Sequence, residues 1–189
     1  MKNFVFILLI LICFTSLKAQ LSEPKKMQKK GVSVGLSLGL GQLKLSENDT
    51  TRKMMAATLP NIRIGYMLSE RFALQLLLPG TPYQKNGKTR GFEAIVISGQ
   101  YWIKNRWWIL GGAGVSIDAP AFWTIDDPKD IQFHWGVPAV TFATGFEILQ
   151  RKSFTIDLQY RVYSGKVNLD QDKKLTGISN MFSVGFNWY

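Results

Sequence analysis

The chain has little cysteine, little acid and few long apolar runs. One of its 189 residues is a cysteine, Cys13. It falls in the N-terminal segment read below as removed on export, so the mature chain has neither a disulfide framework nor a thiolate metal site. Acidic residues number 13 against 23 Lys and Arg, giving a formal charge of +10. Such an excess suits nucleic acid or an anionic membrane surface, and the export signal excludes nucleic acid as a partner. Charged residues make up 19% of the chain, against roughly 25% in ordinary soluble domains. Past Leu17 no apolar run reaches the roughly 20 residues that a membrane-spanning helix needs, which excludes a helical membrane protein.

Aromatic and hydrophobic residues are plentiful, at 13% and 46%. The first apolar stretch, Phe4 to Leu17, follows Lys2 and ends at Leu17-Lys18-Ala19. A short basic start, an apolar run too short to span and a small residue before the cut describe a secretory signal peptide over residues 1–19. Leu11 and Ile12 are too bulky for the lipoprotein cut that Cys13 would need. Residues 20–30, Gln-Leu-Ser-Glu-Pro-Lys-Lys-Met-Gln-Lys-Lys, carry no apolar period and read as a basic periplasmic tether, solvated at the chain's end. Residues 31–189 form the folded domain.

From Gly31 the hydrophobic period is two. Val32, Val34, Leu36, Leu38 and Leu40 alternate with Ser33, Gly35, Ser37 and Gly39; Phe154, Ile156, Leu158, Tyr160 and Val162 alternate with Thr155, Asp157, Gln159 and Arg161. A strand sends alternate side chains to opposite faces, so each segment has one apolar face and one polar or small face. The pattern gives eight strands near 31–45, 55–67, 71–79, 92–103, 106–117, 137–149, 153–165 and 178–189. Segments 92–103 and 106–117 are apolar on both faces. There the reading sets Ile95, Ile97, Tyr101, Ile103, Trp107, Ile109, Ala113, Val115 and Ile117 outward. Short turns at 68–70, 104–105 and 150–152 alternate with longer polar stretches at 46–54, 80–91, 118–136 and 166–177. An even strand count with alternating short turns and long loops predicts an all-β fold, an antiparallel up-and-down eight-stranded transmembrane β-barrel.

Two residue sets follow from the parity. Tyr66, Tyr101, Trp107, Phe154 and Trp188 fall near the short-turn ends and form an aromatic girdle at one membrane interface. Arg63, Gln75, Gln100, Glu147, Asp157, Gln159 and Arg161 fall on inward faces. An eight-stranded barrel is just wide enough for side chains to fill, and buried charges must be paired. These seven therefore read as an interior polar network that plugs the lumen. No catalytic, cofactor or metal constellation stands out. The one histidine, His134, has no serine at a strand-spaced offset and reads as a loop or interface residue. Asp126-Asp127-Pro128-Lys129-Asp130 lacks the spacing and glycine of a calcium loop. Phe122, Trp123, Phe133 and Trp135 either extend the barrel strands or mark a binding surface.

With signal peptide, alternating strands and the last-strand motif Phe182, Val184, Phe186, Trp188, Tyr189 on the page, the chain resembles the small eight-stranded outer-membrane barrels, the OmpX-, OmpW- and OmpA-transmembrane-domain-like, porin-like group, across residues 31–189. The resemblance implies an outer-membrane location in a Gram-negative envelope, outer-membrane lipids and the barrel-assembly machinery as partners, and the last strand as the assembly signal, although Tyr189 falls one step out of phase. That group includes lipid-modifying enzymes, but with no catalytic constellation in the chain the first expectation is a non-enzymatic structural or surface-interaction role, with loops 118–136 and 166–177 meeting any surface ligand. The alternatives are a narrow transport barrel for small or apolar solutes, a lipid-modifying enzyme and a soluble lipocalin-like binder.

Overall fold

The computed structural model describes residues 28–48, 50–121, 132–169 and 173–189. The signal peptide, most of the tether, the acidic run 126–130, Phe122 and Trp123 lie outside the described residues. Among the described residues ten strands follow in chain order: β1 (Gly31–Glu47), β2 (Thr50–Ala57), β3 (Asn61–Ser69), β4 (Phe72–Leu78), β5 (Gly80–Lys85), β6 (Lys88–Trp102), β7 (Trp107–Pro120), β8 (His134–Gln150), β9 (Phe154–Asn168) and β10 (Lys174–Trp188). All pairings are antiparallel. They run β10-β9-β8-β7-β6-β4-β3-β1, and β10 returns to β1 with Leu36 opposite Phe186 and Leu40 opposite Phe182. The ring thus has eight wall positions. Closing the ring pairs all eight wall strands on both sides, as membrane-spanning sheet requires, while β2 and β5 each pair on one side only.

Ten strands make eight positions because two positions are interrupted. Segment 55–67, read as one strand, is β2 and β3 with a break at Thr58-Leu59-Pro60. A proline cannot donate to a ladder. The break is stitched instead by Gly39 N donating to Thr58 Oγ1 at 2.9 Å and by Gly80 N donating to Asn61 Oδ1 at 2.9 Å. The stretch 80–91, read as a loop, is largely sheet: β5 pairs with β6 through a hairpin at Asn86-Gly87. Both turn residues have positive φ, 52° and 77°, as a two-residue primed turn demands. The other strands also run further toward the long-loop end than the alternation gave. Of the stretches read as loops at 118–136 and 166–177, residues 118–120, 134–136, 166–168 and 174–177 are strand.

Inside and outside follow the parity. Val34, Ile64, Leu76, Ile97, Ile109, Phe142, Leu158 and Val184 lie exposed on the outer wall, while Ser33, Arg63, Gln75, Gln100, Asp157 and Asn187 are buried. That inversion of the soluble pattern suits a lipid solvent. Of the two ambiguous strands, Ile95, Ile97, Tyr101, Ile103, Trp107, Ile109 and Ala113 face outward. Val115 is half-buried, and Ile117 is buried rather than exposed. A bulge between Gly114 and Ser116 shifts the register against β8, and such bulges bend and twist a strand locally.

Candidate functional site

The lumen fills in layers. Nearest the short-turn end, Glu147 Oε1 accepts from Lys29 Nζ at 2.6 Å and from Trp102 Nε1 at 2.7 Å, while Oε2 accepts from Gln150 Nε2 at 2.6 Å. Lys29 also sits 4.1 Å from the centre of the Trp102 ring, and Tyr189 meets that ring edge-on at 6.1 Å. The end of the basic tether is therefore drawn into the barrel mouth, where Lys29 is buried. Burial pushes its ammonium pKa below the usual lysine value, and the Glu147 carboxylate opposes that shift. Tyr189, one step out of phase with the outward row, thereby has a place inside.

The next layer centres on Asp157. Its Oδ2 accepts from Arg63 Nη2 at 3.3 Å, Trp108 Nε1 at 3.2 Å and Asn187 Nδ2 at 2.9 Å, and its Oδ1 accepts from Gln159 Nε2 at 3.0 Å. Arg161 Nη2 donates to Gln159 Oε1 at 3.1 Å, and Arg63 Nη1 and Gln75 Nε2 both donate to Gln100 Oε1. Six of the seven predicted interior residues thus form one connected network, and Glu147 belongs to the adjoining layer with Lys29. Sequence reasoning missed Lys29, Trp102 and Trp108; the parity of the last strand turns Asn187 inward but does not assign it to the network. The two tryptophans fall on the inward parity of strands apolar on both faces, so period alone did not single them out. The network also needs glycine: a Cβ on Gly35 would collide with the Arg63 side chain and with Asn187, and one on Gly145 would collide with the Trp108 ring.

Beyond Gln75 the filling turns apolar. Leu43, Leu77, Phe92, Val96 and Val167 are wholly buried, with Tyr163, Leu175 and Met181 beside them. Tyr163 stacks on Phe92 at 5.3 Å and donates to the Glu93 carbonyl at 2.8 Å. A second polar cluster caps this plug at the long-loop end. Asp118 accepts from Arg90 Nε at 3.0 Å and from the Tyr83 hydroxyl at 2.9 Å, with His134 Nδ1 3.5 Å away. Burial, reinforced by Asp118, raises the Tyr83 phenol pKa. His134 thus stands in β8 rather than in a loop, against a carboxylate and the Arg90 guanidinium. Above lies an open vestibule of about 350 Å³ whose lining includes Arg52, Tyr83, Gln84 and Lys85, with Lys85 paired to Glu47 at 2.8 Å.

On the outer wall Tyr66, Tyr101, Trp107 and Trp188 are exposed near the short-turn end, and Phe154 is half-buried. Phe182, Val184, Phe186 and Trp188 form the exposed row of β10. Among the described residues no three His, Cys, Asp or Glu side chains gather as a metal site.

No family model and no curated protein matches the chain. Several solved structures do resemble it. Neisserial surface protein A is 18% identical with a TM-score of 0.55, over 84% of this chain and 99% of that one. Ail, the attachment invasion locus protein of Yersinia pestis, is 14% identical with a TM-score of 0.49, over 84% and 99%. The outer membrane protein OprG from Pseudomonas aeruginosa is 11% identical with a TM-score of 0.46, over 86% and 97%. The likeness to Neisserial surface protein A shows the fold. That fold, with an outward apolar band around a packed lumen, is that of a membrane-spanning β-barrel of the outer-membrane type. In such barrels short turns face the periplasm and long loops face outward.

Proposed function

We propose that this outer-membrane barrel is closed to bulk diffusion and non-enzymatic, and that it acts as a structural and surface-interaction element through its extracellular end. The observation that carries the reading is the filled lumen. Glu147, Asp157 and Gln100 near the periplasmic side, and Leu77, Val96 and Phe92 above them, have no solvent exposure. They come from β4, β6, β8 and β9, so both halves are packed across the barrel. The extracellular strand ends, with segments 121–133 and 169–173 between them, are the parts left to meet a partner. Phe133 and Trp135 are exposed at one of these ends. The test is conductance: purified protein in planar bilayers should give no sustained current at moderate voltage, and large steady openings would overturn the reading.

One observation favours the narrow transport barrel instead. β2 pairs only with β1 and β5 only with β6, so no ladder joins β2 to β5 above Pro60. A passage for a small apolar solute would use that seam beside the vestibule. Uptake of an apolar fluorophore into proteoliposomes, abolished by a disulfide engineered between β2 and β5, would decide for transport.

A further inference from the structure

The geometry points to a binding site for a phosphorylated lipid of the outer leaflet, on the outer wall of β1, β2, β8, β9 and β10. It has two parts, an apolar groove and a shelf of lysines above it. The groove, about 980 Å³, is lined by residues that include Leu38, Leu40, Phe146, Leu158, Phe182 and Val184. Tyr160 closes its upper end, with its ring 4.8 Å from Phe182 and its hydroxyl donating to Asn180 Oδ1 at 3.3 Å. The lining is nearly all hydrocarbon, the surface an acyl chain covers.

The shelf follows from strand parity. Leu43 and Leu45 turn inward, so Lys44 turns out; Met54 packs on the core, so Lys53 turns out. By the same alternation Lys166 lies outward beside buried Val167, and Lys174 outward beside buried Leu175. Lys44 and Lys53 are direct cross-strand partners. Lys174 stands opposite Asn168 and diagonal to Lys166. Like charges directly opposite one another destabilise a sheet. Among the described residues no acidic side chain faces outward from β1, β2, β9 or β10 to relieve them. Hydroxyl groups fill the gaps: Ser46 and Thr51 lie 2.8 Å apart, and Thr176 pairs with both Ser46 and Lys166.

Height and charge select the occupant. Lys44 is four residues above Leu40, about 13 Å along the strand, which sets the shelf at headgroup level when the groove holds an acyl chain. A phosphate monoester carries about −1.5 to −2 charges near neutrality, and ammonium groups bind it as point charges. A choline headgroup would instead bring a like charge to the lysines. The site is one-sided, because β8 carries exposed Trp135 and Val137 toward the same end.

The test uses the full mature chain refolded in neutral detergent. It is titrated with diphosphorylated lipid A, the same lipid dephosphorylated, and phosphatidylcholine, with binding read by native mass spectrometry. The diphosphorylated lipid should bind selectively and more weakly at high salt. Replacing Lys44, Lys53, Lys166 and Lys174 by Gln should weaken it about tenfold or more. The four Arg replacements should restore it, and Lys104→Gln with Lys152→Gln at the other end should leave it unchanged. Equal binding of the phosphorylated and dephosphorylated lipids, or unchanged affinity in the Gln variant, would overturn the proposal. If the fourfold variant fails to fold by its unboiled gel shift, Lys53→Gln alone serves. It should raise stability in neutral detergent by removing the Lys44 repulsion, and that gain should vanish when the phosphorylated lipid is bound. A gain that persists with lipid bound would equally overturn the site. Conductance plays no part in this test, so it stands apart from the closed-lumen reading.

Discussion

Toward the periplasm the lumen is held by two carboxylates and their donors; toward the outside it is held by hydrocarbon. The two fillings fail differently. Asp157 gathers four donors onto one side chain, so its loss strands a guanidinium and three neutral donors together. The apolar half around Leu77 and Phe92 has no such single point, and each deletion there leaves a local cavity. A charged filling is specific and brittle, whereas an apolar one degrades residue by residue.

The largest effect should come from breaking the charged half. Asp157→Ala should cost about 3–5 kcal/mol, the usual penalty for leaving a buried charge unpartnered, measured as a lowered unfolding transition in detergent. Replacing Asp157 and Arg63 together by Leu and Met should recover much of that loss. If the double variant is as unstable as the single, the network does more than neutralise charge. Next comes the apolar half: Leu77→Ala should cost about 3 kcal/mol, inside the 2–5 kcal/mol range for such cavities, and leave conductance unchanged. Glu147→Gln keeps the shape but loses the ionic bond to Lys29, and should cost about 1.5–3 kcal/mol. The smallest change is expected from Tyr189→Ala, about 0.5–1.5 kcal/mol for the lost ring contact with Trp102. Trp188→Ala should act mainly on membrane insertion, read by the unboiled gel shift. If Tyr189→Ala equals Asp157→Ala, the two halves are not independent.

Much of this was legible in the sequence. A period of two fixes which face each residue takes, so Arg63, Asp157, Gln159 and Arg161 could be turned inward together and Val32 to Leu40 outward. Period does not report register breaks. Ile117 follows the outward rhythm of β7 yet is buried past the Gly114–Ser116 bulge. Nor does it report turns inside a polar stretch, although Asn86-Gly87 was a readable hairpin signal and Pro60 a readable interruption. The Asp118, Arg90, Tyr83 and His134 cluster stayed hidden for that reason: two of its members come from β5 and the start of β6, which look like loop. Lys29 was invisible for another reason. A basic residue outside any periodic segment carries no sign that its partner waits 118 positions away.

The meeting of Lys29, Glu147, Trp102 and Tyr189 has a consequence for the barrel mouth. Lys29 lies two residues before the first strand and Tyr189 immediately after the last, while Glu147 and Trp102 belong to β8 and β6. In the closed ring, with β10 paired to β1, Tyr189 and Lys29 meet at Trp102. The cluster thus works as a clasp across the barrel mouth, tying both ends of the strand ring to β6 and β8.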